Sequence, residues 1–187
     1  MLENEANNEG KAYLLAFFNQ HPALILVMSD FVSMSYMAID ALEFEFELSQ
    51  NLTCDVAFGS SEHNTYCLAK LGSLDRNALF NNNQDNRGEF SNQFERNYGQ
   101  IIDWLYEIDR IKRLPSEVTP LFASENPNIS VLLIIGRSEF LSQDEQDRLK
   151  WRVEKTWIDS VNIKCITYDA LLEHFKFIIE RRKKLSY

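Results

Sequence analysis

The 187 residues are 45% apolar and include thirteen Phe, seven Tyr and three Trp. That suffices for one aromatic-rich domain with a sizeable core. The formal charge of −9 excludes a generally basic nucleic-acid binder, so contact with DNA would need a local basic patch or a metal ion. The longest apolar run, residues 22–28, is far too short to span a bilayer, and the acidic, polar start Met1-Leu2-Glu3-Asn4-Glu5 is unlike a secretory leader.

Residues 9–20 read as a helix with Tyr13, Leu14, Phe17 and Phe18 on its apolar side, ended or kinked at His21-Pro22. Residues 23–39 read as helical in part, with Met28, Met34 and Met37 as packing residues. Strict alternation over residues 42–48 predicts a strand with one apolar face and one face carrying Glu43, Glu45 and Glu47. Residues 53–59 and 65–71, joined by the polar turn at 60–64, predict a hairpin, so three consecutive strands form an antiparallel meander. The polar stretch 81–88 has no core-forming residue and is expected to be a disordered loop or mobile flap.

A long helix is predicted over 91–113, with a stripe of Phe94, Tyr98, Ile101, Ile102, Leu105 and Ile108, and Pro115, Pro120 and Pro127 mark the loop beyond it. The unbroken apolar run 130–136 predicts a strand covered on both faces. Ser142 and Glu145 form a capping box at the head of a helix carrying Leu149, Trp151, Val153 and Trp157. Residues 162–168 predict a strand, and Asp169 is expected to cap a last helix through Leu171, Leu172, Phe175, Ile178 and Ile179. The fold class is therefore α/β, a mixed sheet flanked by helices. The expected division is an N-terminal helical segment over 1–40, packed on a domain over 41–187.

Cys54, Cys67 and Cys165, with His21, His63 and His174, show no zinc spacing. Cys54 and Cys67 fall on core strands and read as buried free thiols; the odd cysteine count and the lack of a leader predict a cytoplasmic protein. His63 in a turn and His174 beside Phe175 read as surface or packing residues, and neither has the partners of a nucleophilic triad. Trp104, Trp151 and Trp157 read as members of helix core stripes. The basic run Arg181-Arg182-Lys183-Lys184 reads as charge favourable to a helix C-terminus, with phosphate contact as its alternative.

Three strings, in this order and spacing, resemble the Shedu family of bacterial anti-phage defence proteins. They are Cys54-Asp55-Val56-Ala57-Phe58-Gly59 with Asn64-Thr65-Tyr66-Cys67, then Gly99-Gln100-Ile101-Ile102-Asp103-Trp104, then Ile134-Ile135-Gly136-Arg137 with Ile166-Thr167-Tyr168-Asp169-Ala170-Leu171-Leu172. The resemblance implies a PD-(D/E)XK, restriction-endonuclease-like core acting on DNA. It implies catalytic positions at Asp55, Lys70 and Gln100, with Asp55 as metal ligand and Mg²⁺ or Mn²⁺ as the ion. It also implies assembly, as a homo-oligomer or with a defence-protein partner; the short apolar runs imply no membrane.

The motif is incomplete. Where such domains carry a Glu-x-Lys pair on the second hairpin strand, Lys70 and Gly72 stand here; where the first helix carries an acid, Lys11 stands near, with Glu9 as a substitute. A hard divalent ion needs oxygen ligands, and Asp55 alone supplies one carboxylate. Lys70 would then supply the ammonium of the missing pair. Glu43, Glu45 and Glu47 read first as a solvated face and second as substitute ligands. A buried Asp55–Lys70 pair would also explain both residues without any metal. Two functions follow: a metal-dependent DNA endonuclease, or a catalytically inactive nuclease-fold module for binding, regulation or assembly.

Overall fold

The computed structural model describes residues 2–81, 88–113, 121, 122, 124 and 126–185, without the side chains of residues 2–9, 11, 182 and 185. Most of the expected flap at 81–88, the loop prolines Pro115 and Pro120, and the side chains of Glu9 and Lys11 lie outside the described residues.

The elements are α1 (Leu2–Gln20), α2 (Ala23–Ser29), β1 (Ala41–Ser49), β2 (Leu52–Ser60), β3 (Thr65–Leu71), α3 (Asn92–Lys112), β4 (Asn128–Ile134), α4 (Gln143–Lys155), β5 (Trp157–Ile158), β6 (Val161–Ile166) and α5 (Tyr168–Leu185). Among the described residues, single 3₁₀ turns lie at Asp30–Val32 and Ser138–Phe140. The six strands form one sheet in the order β1-β2-β3-β4-β6-β5. β1, β2 and β3 pair antiparallel as the expected meander, while β3–β4 and β4–β6 pair parallel. The result is an α/β fold with a mixed sheet flanked by helices. The two-residue β5, antiparallel to β6 at the far edge, carries no sequence signal long enough to be read.

Alternation along β4 explains why its run is apolar throughout. Val131 and Leu133, with Ile135 just beyond, enter a cluster with Phe94, Ile101 and Trp104 of α3 and Leu149 and Val153 of α4. Leu132 and Ile134 enter a second cluster on the opposite face with Phe18 of α1, Ile25 and Met28 of α2, Met34, and Leu171 of α5. With both faces covered, neither set of positions tolerates a polar residue. Met28 and Met34 are fully buried fillers of this second cluster, and Met37 packs against it.

Helix ends follow local chemistry. Ser91 caps α3, accepting the Phe94 N–H at 2.9 Å while donating to the Ala78 carbonyl at 2.6 Å. Such a cap contributes about 1 kcal/mol. The Ser142–Glu145 capping box opens α4 as expected. At α5 the expectation shifts by two residues: Tyr168 is already helical, so Thr167 is the cap, its Oγ1 accepting the Ala170 N–H at 3.2 Å. Asp169 instead accepts from Ser138 Oγ at 3.1 Å and from Arg137 Nε at 3.4 Å.

Several residues expected in the core are at the surface. Tyr13, Phe17, Ile102, Leu172 and Ile179 are exposed, as are Trp151 at 66% and Trp157 at 61%. Trp157 lies beyond α4, in β5, where its indole N–H reaches back to the Glu154 carbonyl. Helical spacing alone gave these positions no partner surface: α4 buries only Leu149 and Val153. Trp104 is fully buried, as its place in the stripe implies.

Candidate functional site at the end of the first hairpin

The β2–β3 ladder runs from Ser60↔Thr65 to Val56↔Ala69. One step further, Asp55 and Lys70 stand opposite each other across the two strands. Both are buried, at 1% and 6% exposure. The Lys70 Nζ lies 3.4 Å from Oδ1 and 3.4 Å from Oδ2 of Asp55. Oδ2 also accepts the Leu71 backbone N–H at 2.7 Å. Beyond the last ladder pair, therefore, the side chain of β2 takes over from its backbone as the acceptor for β3. Taking two charges out of water costs several kcal/mol per ion, which their mutual attraction offsets only when pairing and hydrogen bonding are good.

β1 is irregular at the same level. Its ladder lacks a pair at Glu45, which adopts a left-handed φ of 52° between Phe44↔Val56 and Phe46↔Cys54, and its register then shifts between Glu47 and Ser49. A non-glycine residue in that region is strained by about 1–3 kcal/mol. Across the irregularity the strand changes allegiance: Phe44 packs with the α1–α5 cluster, whereas Phe46 and Leu48 pack with the α3 cluster. Glu43, Glu45 and Glu47 are all exposed.

Three groups pack beside this end of the hairpin, Trp104 at Lys70 and Ile135 and Tyr168 at Gly72. The fully buried Trp104 of α3 presents its ring 6.0 Å from Lys70 Nζ, within cation–π range. Gly72 follows β3, and a Cβ there would come within 2.7–2.9 Å of the Ile135 side chain. Ile135 thus fills the space a side chain at 72 would need, and a larger residue would displace it. The Tyr168 hydroxyl donates to the Gly72 carbonyl at 2.8 Å, while the Gly72 N–H donates to the Ile134 carbonyl at 2.7 Å. Burial, and then the negative charge of Asp55, push the Tyr168 phenol far above its ordinary range, so it remains a hydrogen-bond donor. Trp104, Ile135 and Tyr168 were not foreseen as site residues. The only sequence signal pointing toward them is Gly72, a glycine at the end of an apolar strand.

Gln100 stands one turn before Trp104 on α3 and is half-buried. The fold thus brings Asp55 and Lys70 into contact and sets Gln100 on the helix that covers them. The adjacent thiol of Cys54 is fully buried, and burial together with the Asp55 charge pushes its pKa far up. Cys67 is raised by burial in the same way, and burial pushes Cys165 up to about 12. Such thiols are protonated and unreactive.

The described residues do not fit a hard divalent ion. No group of three or more His, Cys, Asp or Glu suited to a metal occurs among them. At Asp55 both carboxylate oxygens are already engaged, and the charge opposite it on β3 is the Lys70 ammonium. Mg²⁺ needs near-octahedral oxygens, of which the described site supplies only the Asp55 carboxylate.

Elsewhere, His63 is exposed in its turn and contacts Ser60 Oγ at 3.1 Å. His174 Nε2 lies 2.8 Å from Asp30 Oδ2, tying α5 to the turn after α2. Arg181, Lys183 and Lys184 are exposed in the last turns of α5. Among the described residues no single helix is long and apolar enough to cross a membrane.

A two-layered helical cover over a mixed sheet, with one carboxylate–ammonium pair sealed at the end of its first hairpin, defines an α/β domain with a charged group in its core. Residues 9–172 match the family model described as Shedu protein SduA, C-terminal. The match takes in all six strands and most of the helical cover, so the chain belongs to this family. Membership supports a Shedu-type anti-phage defence protein. A search of curated proteins found no match.

Proposed function

We propose that this chain is a PD-(D/E)XK-fold module of a Shedu-type defence protein that acts by binding or assembly and does not itself cut DNA. One observation carries the reading. The carboxylate at the expected metal position is 1% exposed and held by Lys70 and the Leu71 N–H, with the buried Trp104 ring 6.0 Å from the Lys70 ammonium. In-line cleavage needs an ion that touches both the carboxylate and a substrate phosphate. Among the described residues, a carboxylate 1% exposed offers a phosphodiester almost no accessible surface. The overall charge of −9 further disfavours broad phosphate contact, leaving a second copy of the chain or a protein of the same defence system as the fitting partner.

The test is plasmid nicking by the purified protein with Mg²⁺ or Mn²⁺. The expected result is no cleavage above background, and no difference between the wild type and Asp55→Ala. Cleavage that Asp55→Ala abolishes would overturn the reading in favour of the second one, a metal-dependent endonuclease using Asp55, Lys70 and Gln100. What favours that alternative is the arrangement of an acid on β2 and an amine on β3 at one end of the hairpin, beside a Gln on the covering helix.

A further inference from the structure

We propose that this chain forms a two-fold dimer through the outer face of α3. In it, α3 crosses its copy at Gly99, and Tyr106 of each copy sits in the cleft that Phe90, Arg148, Trp151 and Arg152 form on the other. The inference deepens the assembly reading above and rests on it; it names the partner and the surface, and its test reads association instead of cleavage.

Three features of the α3–α4 layer carry it. The first is the apolar outer surface of α3, where Tyr106 is 70% exposed and Ile102 41%. The second is an open cleft of about 380 Å³ lined by Phe90, Arg148, Trp151 and Arg152. Trp151 is 66% exposed, and the guanidinium groups of Arg148 and Arg152 lie 5.6 and 4.7 Å from the centre of the Phe90 ring. Walls of this kind take an aromatic ring by stacking and cation–π contact, and Tyr, Trp and Arg are the side chains that dominate protein interfaces. The third feature is Gly99. It lies inside the 21-residue α3, where a glycine weakens a helix relative to alanine. A Cβ there would meet nothing within 4 Å among the described residues, so packing within the chain does not call for a glycine. On an exposed helix face, glycine lets a second backbone approach closely.

Helical spacing puts the three in register. At 1.5 Å per residue, Tyr106 lies about 10 Å from Gly99 toward the C-terminus of α3. The cleft lies on the other side of Gly99, at the head of α3, where Arg152 bonds Glu95. The 3.6-residue period sets Glu95, Ile102 and Tyr106 on one flank of the outer face, and Arg96 and Asp103 on the other. α4 stands on the first flank, because Arg152 reaches Glu95 from there. A two-fold axis through Gly99, in the contact plane and perpendicular to α3, reverses the helix and keeps each flank on its own side. Tyr106 of the second copy then stands level with Asn92, beside the cleft. On the other flank, Asp103 of the second copy comes level with Glu95, one residue from Arg96. Arg96 and Asp103, both exposed, thus form two equivalent charge pairs across the axis. An isologous contact requires such self-complementarity, which is why a second copy of this chain is the occupant.

The experiment measures association of the full chain by sedimentation equilibrium, with thermal melting of each variant at concentrations where it is monomeric. Wild type is expected to dimerise. Gly99→Gln is expected to melt no lower than wild type, because its side chain enters open space and favours the helix, yet to weaken the dimer about tenfold or more. Tyr106→Ala and Trp151→Ala, which truncate exposed side chains, are expected to weaken it by a similar factor. Arg96→Asp and Asp103→Arg are each expected to weaken it, and the double swap to restore it. Within one chain these two residues are about 10 Å apart along the helix, so the rescue reads a contact between copies. A wild type that stays monomeric would overturn the proposal, as would a dimer indifferent to Gly99→Gln and Tyr106→Ala. So would association that grows beyond a dimer through this face, or a double swap that restores nothing. A monomer that does not nick DNA would overturn this inference and leave the non-cleaving reading in place; Asp55-dependent nicking by a dimer with the expected variant pattern would do the reverse.

Discussion

Two ion pairs in this fold use the same chemistry in opposite settings. Asp55–Lys70 is sealed at the end of the hairpin. Glu95–Arg152 bridges α3 and α4 at the surface, with Arg152 Nη2 donating to Glu95 Oε2 at 2.7 Å and side-chain exposures of 24% for Arg152 and 47% for Glu95. Arg152 also lies over three rings, those of Phe90, Phe94 and Tyr98, at 4.7, 5.0 and 4.9 Å. The planar guanidinium is weakly hydrated and stacks well, so it gains contacts even if its carboxylate is lost. The Lys70 ammonium has the Asp55 carboxylate as its counter-charge. Losing one member should therefore be severe in the first pair and mild in the second.

The largest expected effect is at Lys70. Lys70→Met removes the ammonium from beside a buried carboxylate and should cost about 3–5 kcal/mol in urea unfolding. The double substitution Asp55→Leu with Lys70→Met removes both charges and should recover most of that loss, since apolar replacement of a whole buried pair is often neutral or stabilising. A double variant no more stable than the single one would show that the pair's shape, more than its charge, holds the hairpin end.

Next in size is Gly72. A methyl there meets Ile135 at 2.7–2.9 Å, so Gly72→Ala should cost about 1–3 kcal/mol by overpacking. Ile135→Val, which withdraws one methyl from the same contact, should reduce that cost when the two are combined. Additivity within about 0.5 kcal/mol would mean that the two residues are not coupled.

The smallest effects belong to the surface pair. Glu95→Gln should cost less than about 1 kcal/mol, because exposed pairs are screened by solvent. The Arg152 hydrogen bond, opposed by partial burial and aided by the guanidinium charge, lowers the Glu95 pKa in the fold. Its contribution is therefore fully present above the ordinary glutamate pKa and fades as the pH falls through the lowered folded value. Urea titrations between pH 7 and pH 3 should show wild type and Glu95→Gln converging toward the acid end. Arg152→Ala should cost about 1–2 kcal/mol, more than Glu95→Gln, because it also removes the ring contacts. Equal costs for the two would show that the stacking contributes nothing.

Local pattern carried much of the architecture into the sequence. Alternation made β1, the hairpin and β6 legible, and an unbroken apolar run marked β4. Ser91 and the Ser142–Glu145 box announced the starts of α3 and α4 because a cap is a contact between near neighbours. Helical spacing misled where it gave an apolar residue no opposing surface, as at Tyr13, Ile102, Trp151 and Trp157. At the site, the sequence indicated Asp55, Lys70 and the gap at Gly72, and it named the buried pair as one of its readings.

By itself, then, the sequence determined the α/β class, the meander, and the facing positions of an acid and an amine at the end of a hairpin. Those depend on period-two alternation and on register, which a turn of fixed length sets. Only the tertiary structure decided that the two charges are sealed from water. Ile135 closes the space beside Gly72 from β4's end, Trp104 comes down from α3 across the sheet face, and Tyr168 reaches Gly72 from the head of α5. Each of those contacts joins residues far apart in the chain, and burial is a property of the packed layers that no single stretch of sequence contains.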